Sequence, residues 1–408
     1  MELHSGLPYW IVKNKLFNHF NPLKTNIQTK VAIIGSGITG SLVAHELCKQ
    51  NIACVIIDKR SIGLGSSAAS TSQLQYEIDE PLTNLIELVG EDHAVRAYKD
   101  CLNSIADIRE VLKETKADGS YKQIPTFLLA SNQRGVRLLE KEYEVRKKND
   151  LPIQFLNKQQ LAKTLGVDNE AALYNDSSAQ IDCYQCATGI LNHYLKNKKL
   201  EIYSHTLIEN YRKQKNGYTL TTTEGYTVTC EYVVVAAGFE AGDFLPQKVM
   251  TLLSTYAIIS QPVDPKLLWH KRALIWETKN PYLYMRTTDD NRIIVGGEDI
   301  PYSAPDIRDD KLRTKSKALE RKFRKMFPEI PFVTEMSWCG TFSATADGLP
   351  FIGAWPRHPK MLFTLGYGGN GITFSMIGAQ VISNIVRGIH DPRLEVYGFK
   401  RLKNKKDC

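Results

Sequence analysis

Residues 30–58 contain Lys30-Val31-Ala32-Ile33-Ile34-Gly35-Ser36-Gly37-Ile38-Thr39-Gly40 and, further on, Ala53-Cys54-Val55-Ile56-Ile57-Asp58. Two short β-branched apolar runs flank a stretch in which Leu42, Val43, Glu46 and Leu47 recur with helical spacing. The pattern predicts a buried parallel strand, a helix over 38–50 and a second parallel strand, joined by a right-handed crossover. The Gly-x-Gly-x-x-Gly turn sits between strand and helix, the context a dinucleotide site requires. Gly35 permits the tight turn, Gly37 lets the backbone approach a pyrophosphate, and Gly40 lets helix and strand pack closely. Ile38 and Thr39 open the helix, whose free N–H groups and dipole favour an anion. Asp58 ends the second strand, where an acid accepts from a ribose hydroxyl. The turn alone leaves NAD and FAD both open.

The next segment narrows the choice. Lys59-Arg60 lead into a loop of glycines, small residues and hydroxyls that includes Gly63, Gly65, Ser66, Ser67, Thr71 and Ser72. An NAD domain normally continues into a helix here. A loop of small residues suits a longer cofactor passing close to backbone, although a mobile serine-rich loop has the same composition.

Outward from this core, 408 residues predict two domains, and a 43% hydrophobic content with 19 Tyr and 14 Phe excludes a disordered chain. Part of the formal net charge of +8 lies in the Lys400–Lys406 tail, read as a solvated end rather than a nucleic-acid site. No secretory pattern opens the chain, and no apolar run approaches the ~18–20 residues that span a bilayer, so a soluble, cytoplasmic protein is expected. The Cys183-Tyr184-Gln185-Cys186 pair has redox or half-zinc spacing without a second pair. It is read as the start of a helix, and no metal site is expected.

The coarse order is parallel α/β, an insertion, parallel α/β, a second insertion, then α/β again. A discontinuous dinucleotide unit is expected over 30–85, 175–250 and 335–400, and a substrate unit over 86–174 and 251–334. Residues 1–29 form an arm on the body. Leu252–Pro262, Ala273–Glu277, Tyr282–Thr287 and Arg292–Gly296 are predicted antiparallel strands, with Asp289-Asp290-Asn291 turning between the last two. Helices are predicted over Lys311–Phe327 and Thr373–Arg387. The fold class is α/β: a two-domain, Rossmann-like fold of the glutathione-reductase kind, with an α+β substrate domain on an antiparallel sheet.

Three blocks resemble the D-amino-acid oxidase superfamily of FAD-dependent oxidoreductases, which includes glycine and sarcosine oxidases, amino-acid dehydrogenases and γ-glutamylputrescine oxidases. They are Val31–Asp58 with the loop 63–72, the strand end Val233–Gly238, and Trp338–Gly353 running on to Leu365–Thr373. In the last, Asp347-Gly348-Leu349-Pro350-Phe351-Ile352-Gly353 precedes Gly366-Tyr367-Gly368-Gly369-Asn370-Gly371-Ile372-Thr373. The resemblance implies FAD, held non-covalently, with Leu207, Ala237, Gly238, Gly353 and the 366–373 loop beside it. A second glycine-fed helix start then places N–H groups against the flavin edge that gains charge on reduction. It also implies oxidation of a C–H bond next to nitrogen in a small amine or amino acid, with hydride passing to flavin N5 and electrons on to oxygen or another acceptor.

Tyr282, Tyr284 and Arg286 alternate and so share one strand face. That face is either a pocket, with Arg286 gripping a carboxylate, or an outer surface with an exposed arginine. Two departures from the family bear on this. Phe342-Ser343 stand where amino-acid oxidases often carry Arg-Pro, and Arg292–Gly296 lacks the lysine with which sarcosine oxidases activate oxygen. Cys339 lies one residue from the position of covalent flavin attachment. Oxidation of a hydroxy-compound such as a 2-hydroxy acid, and a non-catalytic FAD-binding role, remain as alternatives.

Overall fold

The computed structural model describes residues 4–17, 19–197, 199–302 and 304–402. Most of the basic tail therefore lies outside the described residues. Two sheets carry the fold.

The first sheet runs in the order Phe351–Trp355, His358–Leu365, Thr227–Val235, Ile27–Ile34, Cys54–Ile57, Leu200–Tyr203; the first pair is antiparallel and the other four are parallel. Alternation within each strand feeds two cores. Val31, Ile33, Cys54, Ile56 and Val234 face the helices Ile38–Lys49, Glu91–Thr115, Cys183–Lys196 and Gly371–Val386. Ala32, Val55, Ile57, Val233 and Val235 face the layer built by Tyr218, Leu220 and Phe399. Burial on both sides explains why these strands read as unbroken apolar runs.

The second sheet runs His4–Gly6, Thr334–Ala344, Thr251–Ser260, Ile293–Pro301, Tyr284–Thr287, Leu274–Glu277, Lys122–Leu129, Ala171–Gln180, Gln73–Leu74. Its pairs are antiparallel except Leu274–Glu277 on Lys122–Leu129. The helix Leu312–Met326 closes one face through Leu319 and Phe323, against Tyr256, Ile258, Met285 and Val295. The opposite face turns toward the dinucleotide body, where Ala257, Ile259, Ile294 and Trp338 meet Tyr9, Trp10, Ala68 and Tyr184.

Sheet membership departs from the expected partition. Thr334–Ala344, Gln73–Leu74 and most of Ala171–Gln180 were assigned to the dinucleotide unit but pair in the second sheet. The helix Glu91–Thr115, expected in the substrate unit, packs on the first sheet. Periodicity identifies an element's buried side but not which sheet supplies its partner. The arm is likewise built in: His4–Gly6 pairs with Trp338–Gly340, and Tyr9 and Trp10 are buried. The loop after Asp58 contains a short helix, Ser66–Ala69. Cys183 and Cys186 are buried thiols at a helix start, as expected. Among the described residues no helix is long and apolar enough to cross a membrane, and no cluster of potential metal ligands forms.

Gly35 and Gly40 lock the entry turn. Gly35 has φ +108°, and a Cβ there would lie 2.4 Å from the Ala236 carbonyl oxygen; a Cβ on Gly40 would lie 2.0 Å from that of Gly35. A Gly40→Ala variant should lose about 1–3 kcal/mol or more, the usual cost of overpacking. Thermal unfolding checks this, and an unchanged melting temperature would contradict the close approach.

Candidate active site

Where the two sheets face one another, a cavity of about 500 Å³ opens above the C-terminal ends of the parallel strands. The glycine turn begins it. Gly35, Gly37, Ile38 and Thr39 line it, with Gly65, Ser66 and Ser67 opposite. A Cβ on Gly37 would come within 2.9 Å of the Ser67 hydroxyl, which accepts from the Ile38 N–H at 2.8 Å. The Ser66 hydroxyl is buried and has no hydrogen-bond partner among the described residues. Asp58 accepts from the Ser36 N–H and hydroxyl and from the Arg60 N–H, with lone pairs to spare for a ribose. Leu207, Ala237 and Gly238 complete this end. Lys59 and Arg60 also line it, and both pair with the nearly buried Glu240.

The loop from Ala69 to Ser72 forms the middle of the cavity wall. Each of its four carbonyls accepts from a distant side chain. Trp338 Nε1 donates to Ala69 at 2.8 Å and Trp10 Nε1 to Ser70 at 2.6 Å, while the Arg286 guanidinium reaches Thr71 at 3.1 Å and Ser72 at 2.8 Å. Arg286 also donates to the Ile181 carbonyl at 2.8 Å and lies 5.3 Å from the Trp10 ring. Burial lowers its pKa to about 10, so it stays charged at neutral pH.

This corrects the expectation for Arg286. It is neither a pocket residue nor an exposed one: it is 2% exposed, does not line the cavity, and its Nε and Nη1 donate to the main-chain carbonyls of Thr287, Thr71, Ser72 and Ile181. Tyr282 and Tyr284 do line the cavity, on the face that sequence alternation assigns them. Gly296 makes room for Tyr284, because a Cβ there would lie 2.3 Å from the ring.

The second glycine loop enters from the other side. Gly368, Gly369, Asn370, Gly371 and Ile372 line the cavity, but Gly366, Thr373 and Gly353 do not. Gly366 packs on Thr345, the Thr373 hydroxyl donates back to the Asn370 carbonyl, and Gly353 lies against Leu394. Those three glycine-block positions shape the turn, its helix and the supporting strand instead of facing the cavity. Gly40 is likewise a packing residue. Cys339 points away toward Ser5 and Asp309, so a covalent link through it is not available.

Two acids and a tryptophan were not foreseen. Asp79 accepts from the Gly369 N–H at 2.5 Å and the Tyr282 hydroxyl at 3.0 Å; burial raises its pKa and those bonds lower it. Asp299 lines the cavity beside Thr255, and burial pushes its pKa up to about 6. Its Oδ1 has no hydrogen-bond partner among the described residues. Strict alternation from Ile294 and Gly296 would place Glu298 there. A bulge intervenes: Ser254 pairs with Ile300 and Tyr256 with Gly297, and Glu298 takes φ 59°. Glu298 therefore turns to Lys315 and Lys322 on the covering helix, and Asp299 to the cavity. Trp276 stands by Tyr282 at 5.9 Å between ring centroids, and Tyr282 by Tyr284 at 5.7 Å.

The donor set fits FAD: a helix N-terminus with an orphaned serine hydroxyl, an acid for ribose, and backbone from two loops. Fold and site thus define a flavin-dependent oxidoreductase. The model of the family described as DAO, FAD dependent oxidoreductase, matches residues 30–385, and the chain belongs to that family. It is 23% identical over 399 residues to the gamma-glutamylputrescine oxidoreductase of Escherichia coli, covering 95% of this chain and 90% of that one. It is 23% identical over 365 residues to the glycine oxidase of Geobacillus kaustophilus, covering 87% and 92%. The crystal structure of glycine oxidase from Geobacillus kaustophilus superposes with a TM-score of 0.74 at 20% identity, over 91% of this chain and 98% of that one.

Replacing Arg286 with Ala should cost about 2–4 kcal/mol through buried carbonyls left without their donor. It should also weaken FAD retention, with Arg286→Lys recovering part of both. Denaturant melts and bound-flavin content read this. A variant that keeps both and loses only affinity for a carboxylate substrate would contradict the assignment.

Proposed function

We propose that this chain oxidises the C–N bond of a small amine or amino acid, using FAD as the electron acceptor. The observation that carries the reading is one continuous cavity with a dinucleotide cradle at one end and a partly buried, unpaired carboxyl at the other. FAD, when bound, supplies the acceptor for the substrate's hydride, at flavin N5.

The protein's own residues then have distinct tasks. The Gly35–Thr39 turn, with Ser66 and Ser67, would hold the pyrophosphate. The Ala69–Ser72 loop and Gly368–Ile372 would hold the ring system. Tyr282, Tyr284 and Trp276 wall the reacting end with apolar surface. An amine must be neutral to give up hydride readily, and it arrives as an ammonium. The Asp299 carboxylate takes that proton at Oδ1, so the N–H bond breaks as the carboxyl O–H forms. Loss of the Cα hydride from the neutral amine then leaves a protonated imine, the positive charge on its nitrogen balancing the hydride's negative charge, and water hydrolyses it to a carbonyl compound and the released ammonium.

Asp299 is proton-accepting only when ionised. With its pKa at about 6, kcat/KM should fall roughly tenfold per pH unit as pH drops below 6, and level off above it. Asp299→Asn should remove that limb and lower kcat by about 10²-fold, the scale of a lost general base. Steady-state rates with ammonia release as the readout test both. A variant with an unaltered acid limb would show that another group titrates.

A further inference from the structure

The charge of the cavity is divided. Among the described residues that line it, the cations are Lys59 and Arg60, which follow Asp58 on the dinucleotide sheet and pair with Glu240. The wall contributed by the second sheet carries none. It presents Asp299 together with the rings of Trp276, Tyr282 and Tyr284, and Asp79 is bonded to Tyr282 from the facing loop. Arg286, the arginine nearest in sequence, is committed to main-chain carbonyls. Phe342 lines the cavity, and its neighbour Ser343 is buried outside the lining. A substrate carboxylate placed here would meet two acids and no counter-charge, and like charges in a low-dielectric site repel strongly. A cation would meet an unpaired carboxylate oxygen and the rings of Trp276, Tyr282 and Tyr284.

We propose that this site selects a cationic alkyl amine without a carboxylate, in particular one with a second basic nitrogen, held between Asp299, Asp79 and the Trp276–Tyr282–Tyr284 wall. The second nitrogen stays protonated and anchors the molecule while the first is made neutral for reaction. Free α-amino acids are disfavoured by their carboxylate. This inference rests on the reading of the cavity as the substrate site, and it fixes which half of the amine and amino-acid class the site takes.

Binding without turnover separates the inference from the proposed reaction. Tetramethylammonium carries a cation but no nitrogen lone pair, so it reports recognition alone. The FAD-loaded full chain is titrated by calorimetry with tetramethylammonium, with neutral tert-butanol and with acetate. Tetramethylammonium should bind at least tenfold more tightly than tert-butanol, and acetate should neither bind nor compete. Asp299→Asn and Trp276→Leu should each weaken the cation at least tenfold while retaining FAD and its visible spectrum. In turnover, 1,4-diaminobutane should exceed both n-butylamine and glycine in kcat/KM by at least tenfold. Cation binding without reduction of the flavin by any amine would uphold the recognition site and sink the proposed reaction. Reduction by glycine in preference to the diamine, or acetate binding at the cation's expense, would overturn the inference and leave amine-group oxidation standing. Loss of FAD in one variant leaves the other variant and the wild-type comparison to decide.

Discussion

Four consecutive carbonyls, Ala69 to Ser72, are held by Trp338, Trp10 and Arg286, and the site depends on that grip. The three donors come from three places: the strand Thr334–Ala344 of the second sheet, the N-terminal segment, and the strand Tyr284–Thr287. A small-residue loop has little side-chain packing of its own to hold it. Orienting its carbonyls outward leaves its inner side to the cavity. The same bonds tie the arm and the second sheet to the dinucleotide body, so the seam between the layers and the shape of the cofactor channel are one structure. Arg286 illustrates the energetics. A buried guanidinium is costly unless its donors are met, and here Nε and Nη1 meet the main-chain carbonyls of Thr287, Thr71, Ser72 and Ile181, with the Trp10 ring alongside.

That arrangement also decides the electrostatics. An arginine spent on structure is unavailable to a ligand, and the two lining cations on the dinucleotide side are paired with Glu240. The end of the cavity walled by the second sheet is left with carboxyls and aromatic rings. Asp299 is poised by desolvation, with the neighbouring charge of Asp79 also raising its pKa and the Thr255 hydroxyl opposing the rise. A carboxyl tuned in this way changes state within the working pH range of most enzymes.

Much of the fold was legible in the sequence, because its signals are local. Glycines at 35, 37 and 40 with β-branched strands on either side define a turn that few other geometries satisfy. The alternation of Tyr282, Tyr284 and Arg286 correctly sets them apart from Met285, which faces the covering helix. The rest depends on long-range facts. Asp299 was hidden by a bulge that reverses alternation at Glu298, and a one-residue slip moves every following side chain to the other face. Asp79 matters only because Gly369, far along the chain, meets it. The misassigned segments, Gln73–Leu74 and Thr334–Ala344, are strands whose composition does not name their partner. Gly353, Gly366 and Thr373 belong to a block whose resemblance is strong, yet only its middle reaches the cavity.

The most direct test of the central claim is an anaerobic titration of the purified, FAD-loaded protein, followed in the visible flavin band. A small amine should bleach the band stoichiometrically, and a matched hydroxy-compound should leave it unchanged. Bleaching by the hydroxy-compound alone, or by neither, would contradict oxidation at a C–N bond.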